Sequence, residues 1–305
     1  MNAHRREFRL RLPATSANLG PAFDAAALAF DLFLEVRARL AKEFSIHATG
    51  RDAEICGNFE NHLILETYRD VLRTEGKPVP PLALGINNDV PVGKGCGSSA
   101  SARLAGIALA NQLGKLKWND ARIIGEASYR EHHPDNASAC WLGGITVARM
   151  ASEGQAQVAV LTPKGKWPLL LAVPEQALAT EKARAVLPAE YSRADAVTNI
   201  QNSMLLLSAF VQGRPDLLSS ALDDRIHQPY RAALCPLLPA LQQLGAKEGV
   251  LGAVLSGAGP SVLLFVDPVS NPAKVRKTVQ AHLAKHRLAA ELISTSITTR
   301  GAGKK

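Results

Sequence analysis

From Pro91 to Ser99 the chain reads Pro-Val-Gly-Lys-Gly-Cys-Gly-Ser-Ser, and the residues that follow, Ala100 to Leu113, are nearly all small or apolar. Gly93, Gly95 and Gly97 stand at alternate positions, where they open backbone conformations closed to other residues and let main-chain amides approach a ligand closely. A helix starting at the serines presents unpaired first-turn N–H groups and the positive end of its dipole, which together cradle phosphate oxygens. The loop is not a Walker A pattern, because Lys94 is separated from the serines by Gly95, Cys96 and Gly97, and no G-x-G-x-x-G with a distal acid is present. A different nucleotide-binding fold is implied. An ordinary flexible loop ending in an N-cap serine is the alternative.

The 305 residues, 47% of them hydrophobic, suffice for a large core in one or two domains. No apolar run approaches the roughly 20 residues of a membrane span. Met1 to Arg11 is basic but lacks the apolar run and small-residue cleavage site of a secretory signal, so a cytoplasmic location is expected. Cys56, Cys96, Cys140 and Cys235 form no C-x-x-C pair, which argues against zinc knuckles and disulfides and for reduced, mostly buried thiols. The formal charge of +8 fits either nucleic acid or a small anion. Scattered basic residues, 5% aromatics and a single dense cluster at Gly303-Lys304-Lys305 point away from a nucleic-acid surface.

Period and punctuation predict strands at Arg9–Pro13 and Leu32–Leu40 around a Gly/Pro loop, and a short connection over Ile55–Asn61. A helix carrying Leu63, Ile64, Thr67, Tyr68, Val71 and Leu72 should end before Gly76, ahead of a strand at Leu82–Asn87. After the loop and its helix, a second helix capped by Asn119 should run to about His132, where Pro134 stops it. Leu142–Met150 and Gln157–Leu161 read as a hairpin. The polar, Gly- and Pro-bearing stretch around Gly154 and Thr162–Trp167 is the expected boundary between domains 1–163 and 164–305. Beyond it, strands are expected at Leu169–Val173, Gly252–Ser256, Val262–Val266 and, at an edge, Glu291–Thr298. Helices are expected at Asp195–Gln212, Leu217–Ile226 and Pro272–His286. The irregular mixture favours α+β.

Pro91 to Ala100 fits the P-x-x-x-G-x-G-S-S-A loop of the GHMP kinase superfamily, which the chain resembles. Leu12-Pro13-Ala14-Thr15-Ser16-Ala17-Asn18-Leu19-Gly20-Pro21 with Phe23-Asp24, and Leu255-Ser256-Gly257-Ala258-Gly259-Pro260-Ser261, match its two other motifs in the expected order. Within the superfamily, the first motif most closely resembles that of the homoserine kinases. His133-Pro134-Asp135-Asn136, Thr180 with Arg184, and Asp224 to Pro236 resemble further segments of that family. Ala22 and Ala27 depart from it, standing where glycine is usual.

The resemblance implies the two-domain GHMP kinase fold, with an N-terminal ribosomal protein S5 domain 2-like half and a C-terminal ferredoxin-like half. It implies transfer of a phosphoryl group from ATP, with Mg²⁺, to the hydroxyl of L-homoserine, by a protein that is commonly a homodimer. ATP would lie on Pro91, Gly93, Lys94, Gly95, Cys96, Gly97, Ser98 and Ser99, with Asn61 near adenine, and Mg²⁺ on Ser99 and Glu126. Arg184, Arg231 and His133 would take the substrate carboxylate, for which the guanidinium fork is suited. Asp24 and Asn136 would take the ammonium, Asn18 and Asp24 would orient the hydroxyl, and Thr180 would contact the transferring phosphate.

On the residues alone, Glu126 is equally an exposed helical partner of Arg130, Asn18 a turn residue, and Asp135-Asn136 a helix cap. His132, His133 and Asp135 form no recognised metal-ligand set. Asp24 is the only carboxylate the sequence places near the hydroxyl; it is a general-base candidate, while the resemblance favours direct transfer with Asp24 and Asn18 as positioners. A sister kinase acting on another small alcohol, or a non-catalytic ATP-binding protein on the same fold, are the rival readings.

Overall fold

The structure is a computed structural model that describes residues 7–152 and 154–303. The lysines of the terminal basic cluster and most of the Met1–Arg11 segment lie outside the described residues. In the first half, strands β1 (Phe8–Asn18), β2 (Ala22–Leu40), β3 (Ser45–Gly50), β4 (Leu82–Asn88), β5 (Ile145–Ser152) and β6 (Gln155–Leu161) form a six-stranded sheet in the order β3-β4-β2-β5-β6, with β1 also paired to β2. Only the β3–β4 pair is parallel. Against this sheet lie α1 (Ala53–Gly57), α2 (Leu63–Thr74), α3 (Ser98–Gly114), α4 (Asp120–Glu131) and α5 (Asp135–Leu142).

β1 and β2 are much longer than the period suggests, and the turn between them shrinks to Leu19–Pro21. Phe8, Leu10 and Leu12 alternate with exposed Arg9 and Arg11, but from Leu12 onward every residue of β1 is buried. A strand covered on both faces has no polar alternation to detect. Register shifts at Pro13/Ala14 and Ala17/Asn18 bend the pair. The connection expected over Ile55–Asn61 contains the last turn of α1.

The second half holds β7 (Pro168–Val173), α6 (Thr180–Ala185), α7 (Arg193–Gln212), α8 (Leu218–Ala221), α9 (Gln228–Arg231), α10 (Leu237–Leu241), β8 (Val250–Leu255), β9 (Val262–Val266), α11 (Pro272–Lys285) and β10 (Glu291–Ser296). Its four-stranded sheet runs β10-β7-β9-β8 and is antiparallel throughout. The helix expected over Leu217–Ile226 is cut short, because Asp224 accepts from the amides of Ile226, His227 and Gln228 and turns the chain.

Alternation along β7 explains how the halves join. Leu169, Leu171 and Val173 belong to one core with Leu12, Leu28 and Phe30 of the first half, whereas Leu170 and Ala172 pack with Leu241, Val275 and Val279 on the other face. A bridge between Phe30 and Ile297 links the sheets directly. The two halves therefore share one continuous core.

Candidate active site

All three glycine-bearing motifs converge at this junction. The Ser256 Oγ donates to the Gly95 carbonyl (2.7 Å), the Thr15 amide to the Cys96 carbonyl (3.1 Å), and the Gly257 amide to the Ala17 carbonyl (3.2 Å). Asn18, at φ 71°, ties two motifs together: its amide donates to the Gly257 carbonyl at 2.8 Å and its Oδ1 accepts from the Asp24 amide at 2.9 Å. Glycine is required where these segments touch. A Cβ on Gly95 would stand 2.1 Å from the Ser256 carbonyl oxygen, and one on Gly97 would stand 1.9 Å from Thr15 Oγ1.

Gly97, at φ 71°, precedes α3 and offers no capping side chain, so the first-turn amides of a largely buried helix face the loop. Gly93, Ser98 and Ser99 line two hollows at once. One, about 390 Å³ and mostly apolar, is walled by Leu34, Ile55, Cys56, Asn61, Ile64 and Ile86. The other, about 180 Å³ and polar, lies toward the second half. Of the other loop residues, Pro91 and Cys96 are buried and line neither hollow, and Lys94 lines neither. Burial pushes the Cys96 thiol up to about 12.

The polar cleft brings together the candidates Asn18, Asp24, His133, Asn136, Thr180, Arg184 and Arg231. Thr180 and Arg184 both lie on α6, one turn apart. Both Arg184 Nη atoms donate to Asp24, at 3.0 and 2.8 Å. Arg231 is 1% exposed, gives its Nε–H to the Ala183 carbonyl (2.9 Å) and its Nη1–H to His227 Nδ1 (3.1 Å), and makes no ion pair among the described residues. Burial, then the neighbouring Arg184, hold its pKa below the ordinary range.

His227 is fully buried and donates from Nε2 to the Gly20 carbonyl (2.9 Å), which fixes the neutral tautomer with Nδ1 as acceptor. Burial outweighs nearby Asp224 and pushes its pKa down to about 4. His133 behaves oppositely. Burial works against its proton, but the hydrogen bond and charge of Asp135, with Asp24 and Glu131 beyond, raise its pKa.

Two corrections follow. Glu126 does not reach Ser99: its carboxylate is held by Arg130 at 2.8 Å and Arg122 at 3.9 Å, and it is absent from the cleft wall. The carboxylate that meets Ser99 is Glu131, which accepts from Ser99 Oγ at 2.8 Å and from Arg103 Nε at 2.6 Å. Nor is Asp24 the only carboxylate of the cleft. Asp135 is buried there, its Oδ1 accepting from His133 (2.6 Å) and the Asn136 amide (2.6 Å), its Oδ2 buried without a partner. Ligand atoms of Asp24, His133 and Asp135 lie within 4.8 Å of one another. Asn136 also accepts from Thr15 Oγ1 at 2.7 Å.

Ala22 and Ala27 are buried, have ordinary φ and do not line the cleft; Ala27 packs with Ala17, Ala29 and Ala139. The four cysteines are unpaired, with only Cys56 not fully buried, and no helix among the described residues is long and apolar enough to cross a membrane.

Comparison with known proteins gives the family. The family models for the GHMP kinases N terminal domain and the GHMP kinases C terminal match residues 62–144 and 206–285. The homoserine kinase of Solibacter usitatus is 45% identical over 269 residues, 88% of each chain, and that of Deinococcus radiodurans 35% over 301 residues, 99% and 98%. Among solved structures, the homoserine kinase of Cytophaga hutchinsonii superposes with a TM-score of 0.82 at 22% identity, covering 99% of this chain and 98% of that one. With matches to both family models and such identity along nearly its whole length, the chain belongs to the GHMP kinases and, within them, to the homoserine kinases.

Proposed function

We propose that the chain is a cytoplasmic enzyme that transfers the γ-phosphoryl of ATP to the side-chain hydroxyl of L-homoserine, giving O-phospho-L-homoserine on the route to threonine. The observation that carries the substrate is a mismatch of charge in the polar cleft. Among the described residues, Arg231 is a buried cation without an ion-pair partner, and Asp135 Oδ2 is a buried carboxylate oxygen without a donor. Leaving such groups unsatisfied is costly. An amino acid zwitterion supplies the missing anion and the missing donor together, whereas an alcohol lacking the ammonium leaves Asp135 unmatched.

In this reading the domains are 1–163, which holds the nucleotide, and 164–305. Adenine occupies the apolar hollow beside Asn61, and the first-turn amides of α3 with Ser98 hold phosphate oxygens at the junction of the two hollows. Arg231 and Arg184, aided by protonated His133, take the substrate carboxylate, and Asp135, Asp24 and Asn136 take the ammonium. Both Asp24 oxygens accept from Arg184, which favours Asp24 and Asn18 as positioners of the hydroxyl over a base. Thr180 stands on the cleft wall toward the transferring group.

Ser99 and Glu131 suit Mg²⁺, since an adjacent hydroxyl and carboxylate beside a phosphate cradle are the hard oxygen donors that ion selects. When bound, the ion neutralises charge on the phosphate oxygens. ADP release measured with L-homoserine, mevalonate and sugars tests the proposal. Turnover confined to L-homoserine, together with rescue of a threonine auxotroph lacking homoserine kinase, is expected; equal turnover of mevalonate, or none with any alcohol, would overturn it.

A further inference from the structure

At the start of β2, Phe23 stands in the wall of the polar cleft beside Asp24, the only phenyl ring there. It is half-buried, yet it belongs to none of the hydrophobic clusters among the described residues, so packing into a core does not account for its place. Its ring contacts are two cations and an imidazole. The guanidinium carbon of Arg184, on α6, lies over the ring at 5.6 Å from its centre, and that of Arg231, at the end of α9, at 5.3 Å. The His227 imidazole stacks on the same ring at 5.2 Å, with 27° between the planes.

A phenyl ring is negative on its faces, and a guanidinium within about 6 Å of its centre is attracted to it, more strongly where water is excluded. Two like charges turned into one cleft repel each other, and they need an attraction that does not neutralise them. Arg184 has the Asp24 carboxylate. Arg231 makes no ion pair among the described residues, although the charges of Asp24 and Asp224 both act on it. Were Arg231 drawn onto Asp24, the carboxylate would consume its charge and close the space that a ligand anion needs. The ring face attracts both guanidiniums and consumes neither.

We propose that Phe23 is a positioning residue of the substrate site: its ring face is the shared, uncharged support that keeps the Arg184 and Arg231 guanidiniums aimed into the cleft and open to a carboxylate. The role assigned to the carboxylate rests on the activity proposed above. Phe23 acts through the two arginines and through His227, which it stacks against while His227 Nδ1 accepts from Arg231 Nη1 at 3.1 Å. An aliphatic side chain of similar bulk would fill the same space, but it would leave the buried guanidinium facing hydrocarbon, where a charge is costly. The quadrupole of the ring, not its volume, is what the site uses.

Charge on the ring face can be drained without changing the shape of the ring, by placing mono-, di- and trifluorinated phenylalanine at this position in the full chain. KM for L-homoserine should rise with each fluorine and reach about tenfold in the trifluorinated protein, with kcat and KM for ATP nearly constant. Phe23→Tyr, which keeps the ring face, should stay near wild type, and Phe23→Leu should match or exceed the trifluorinated protein. A KM that is flat across the fluorinated series while Phe23→Leu raises it would reduce Phe23 to packing and overturn the proposal, as would a loss confined to kcat. A second measurement needs no substrate. Urea midpoints of Phe23→Leu, Arg231→Met and the double variant should be non-additive, the double variant losing less than the sum of the two. Additive losses overturn the contact even in an enzyme active on L-homoserine. Non-additive losses in a protein inactive on L-homoserine uphold the contact and count against the activity alone.

Discussion

Arg184 and Asp24, separated by 160 residues, close the cleft between the two halves with a two-pronged ion pair at 3.0 and 2.8 Å. Each is also a group the substrate zwitterion would engage, so the pair keeps both charges compensated until an ammonium and a carboxylate share them. Only a planar fork meets both carboxylate oxygens at once. Arg184→Lys should therefore raise KM for L-homoserine by roughly 10- to 100-fold, the equivalent of one or two charged hydrogen bonds, with a smaller change in kcat. Steady-state kinetics at saturating ATP checks this; an unaltered KM would remove Arg184 from the substrate site.

Glu131 accepts from Ser99 Oγ whereas Glu126 pairs with Arg130, which favours Glu131 as the proposed Mg²⁺ ligand. Glu131→Gln should raise the Mg²⁺ concentration needed for half-maximal rate at least about tenfold, and Arg103→Met, which frees one oxygen of Glu131, should have a weaker effect of the same kind. Glu126→Gln should leave Mg²⁺ dependence unchanged and cost only stability, through its pair with Arg130. A Mg²⁺ titration that ranked Glu126 above Glu131 would reverse the assignment.

What the sequence revealed and what it concealed differ for physical reasons. The glycine-rich loop and the buried helix behind it were legible because the glycines, serines and helix start are contiguous, so local chemistry alone specifies them. Glu131 was not: it is the last residue of α4, and whether it or Glu126 meets Ser99 depends on how α4 lies against α3, which periodicity does not encode. Asp135 read as a helix cap because position shows the cap and not the burial of its second oxygen. The long β1–β2 hairpin was hidden by Ala14–Ala17 and Ala26–Ala29, runs of mostly small residues in which every position is buried.

Gly95 offers a test of the convergence itself. Its φ of 77° and the 2.1 Å separation between a would-be Cβ and the Ser256 carbonyl leave no flexible side chain to give way. Gly95→Ala must push two motifs apart, at a cost of about 1–3 kcal/mol. It should lower the urea midpoint and weaken binding of a non-hydrolysable ATP analogue in the same variant. Intact nucleotide affinity would show that the loop does not depend on this contact.

His227 makes the site sensitive to acid. Its folded pKa of about 4 lies below the ordinary 6.5, so the unfolded chain takes up a proton that the native chain refuses. Stability from this group is complete above pH 6.5 and is lost as pH falls toward 4. The raised pKa of His133 acts in the opposite sense, adding stability on acidification, so the wild-type slope is a difference of the two. His227→Gln keeps an N–H for the Gly20 carbonyl but removes both the titration and the acceptor that aims Arg231. Urea midpoints measured from pH 7.5 to 4.5 should fall less steeply in the variant than in wild type. KM for L-homoserine at pH 7.5 should rise roughly tenfold, since one hydrogen bond to a buried charge is gone. Parallel slopes would mean that His227 already carries a proton in the native state, and the neutral acceptor assigned to Nδ1 would be wrong.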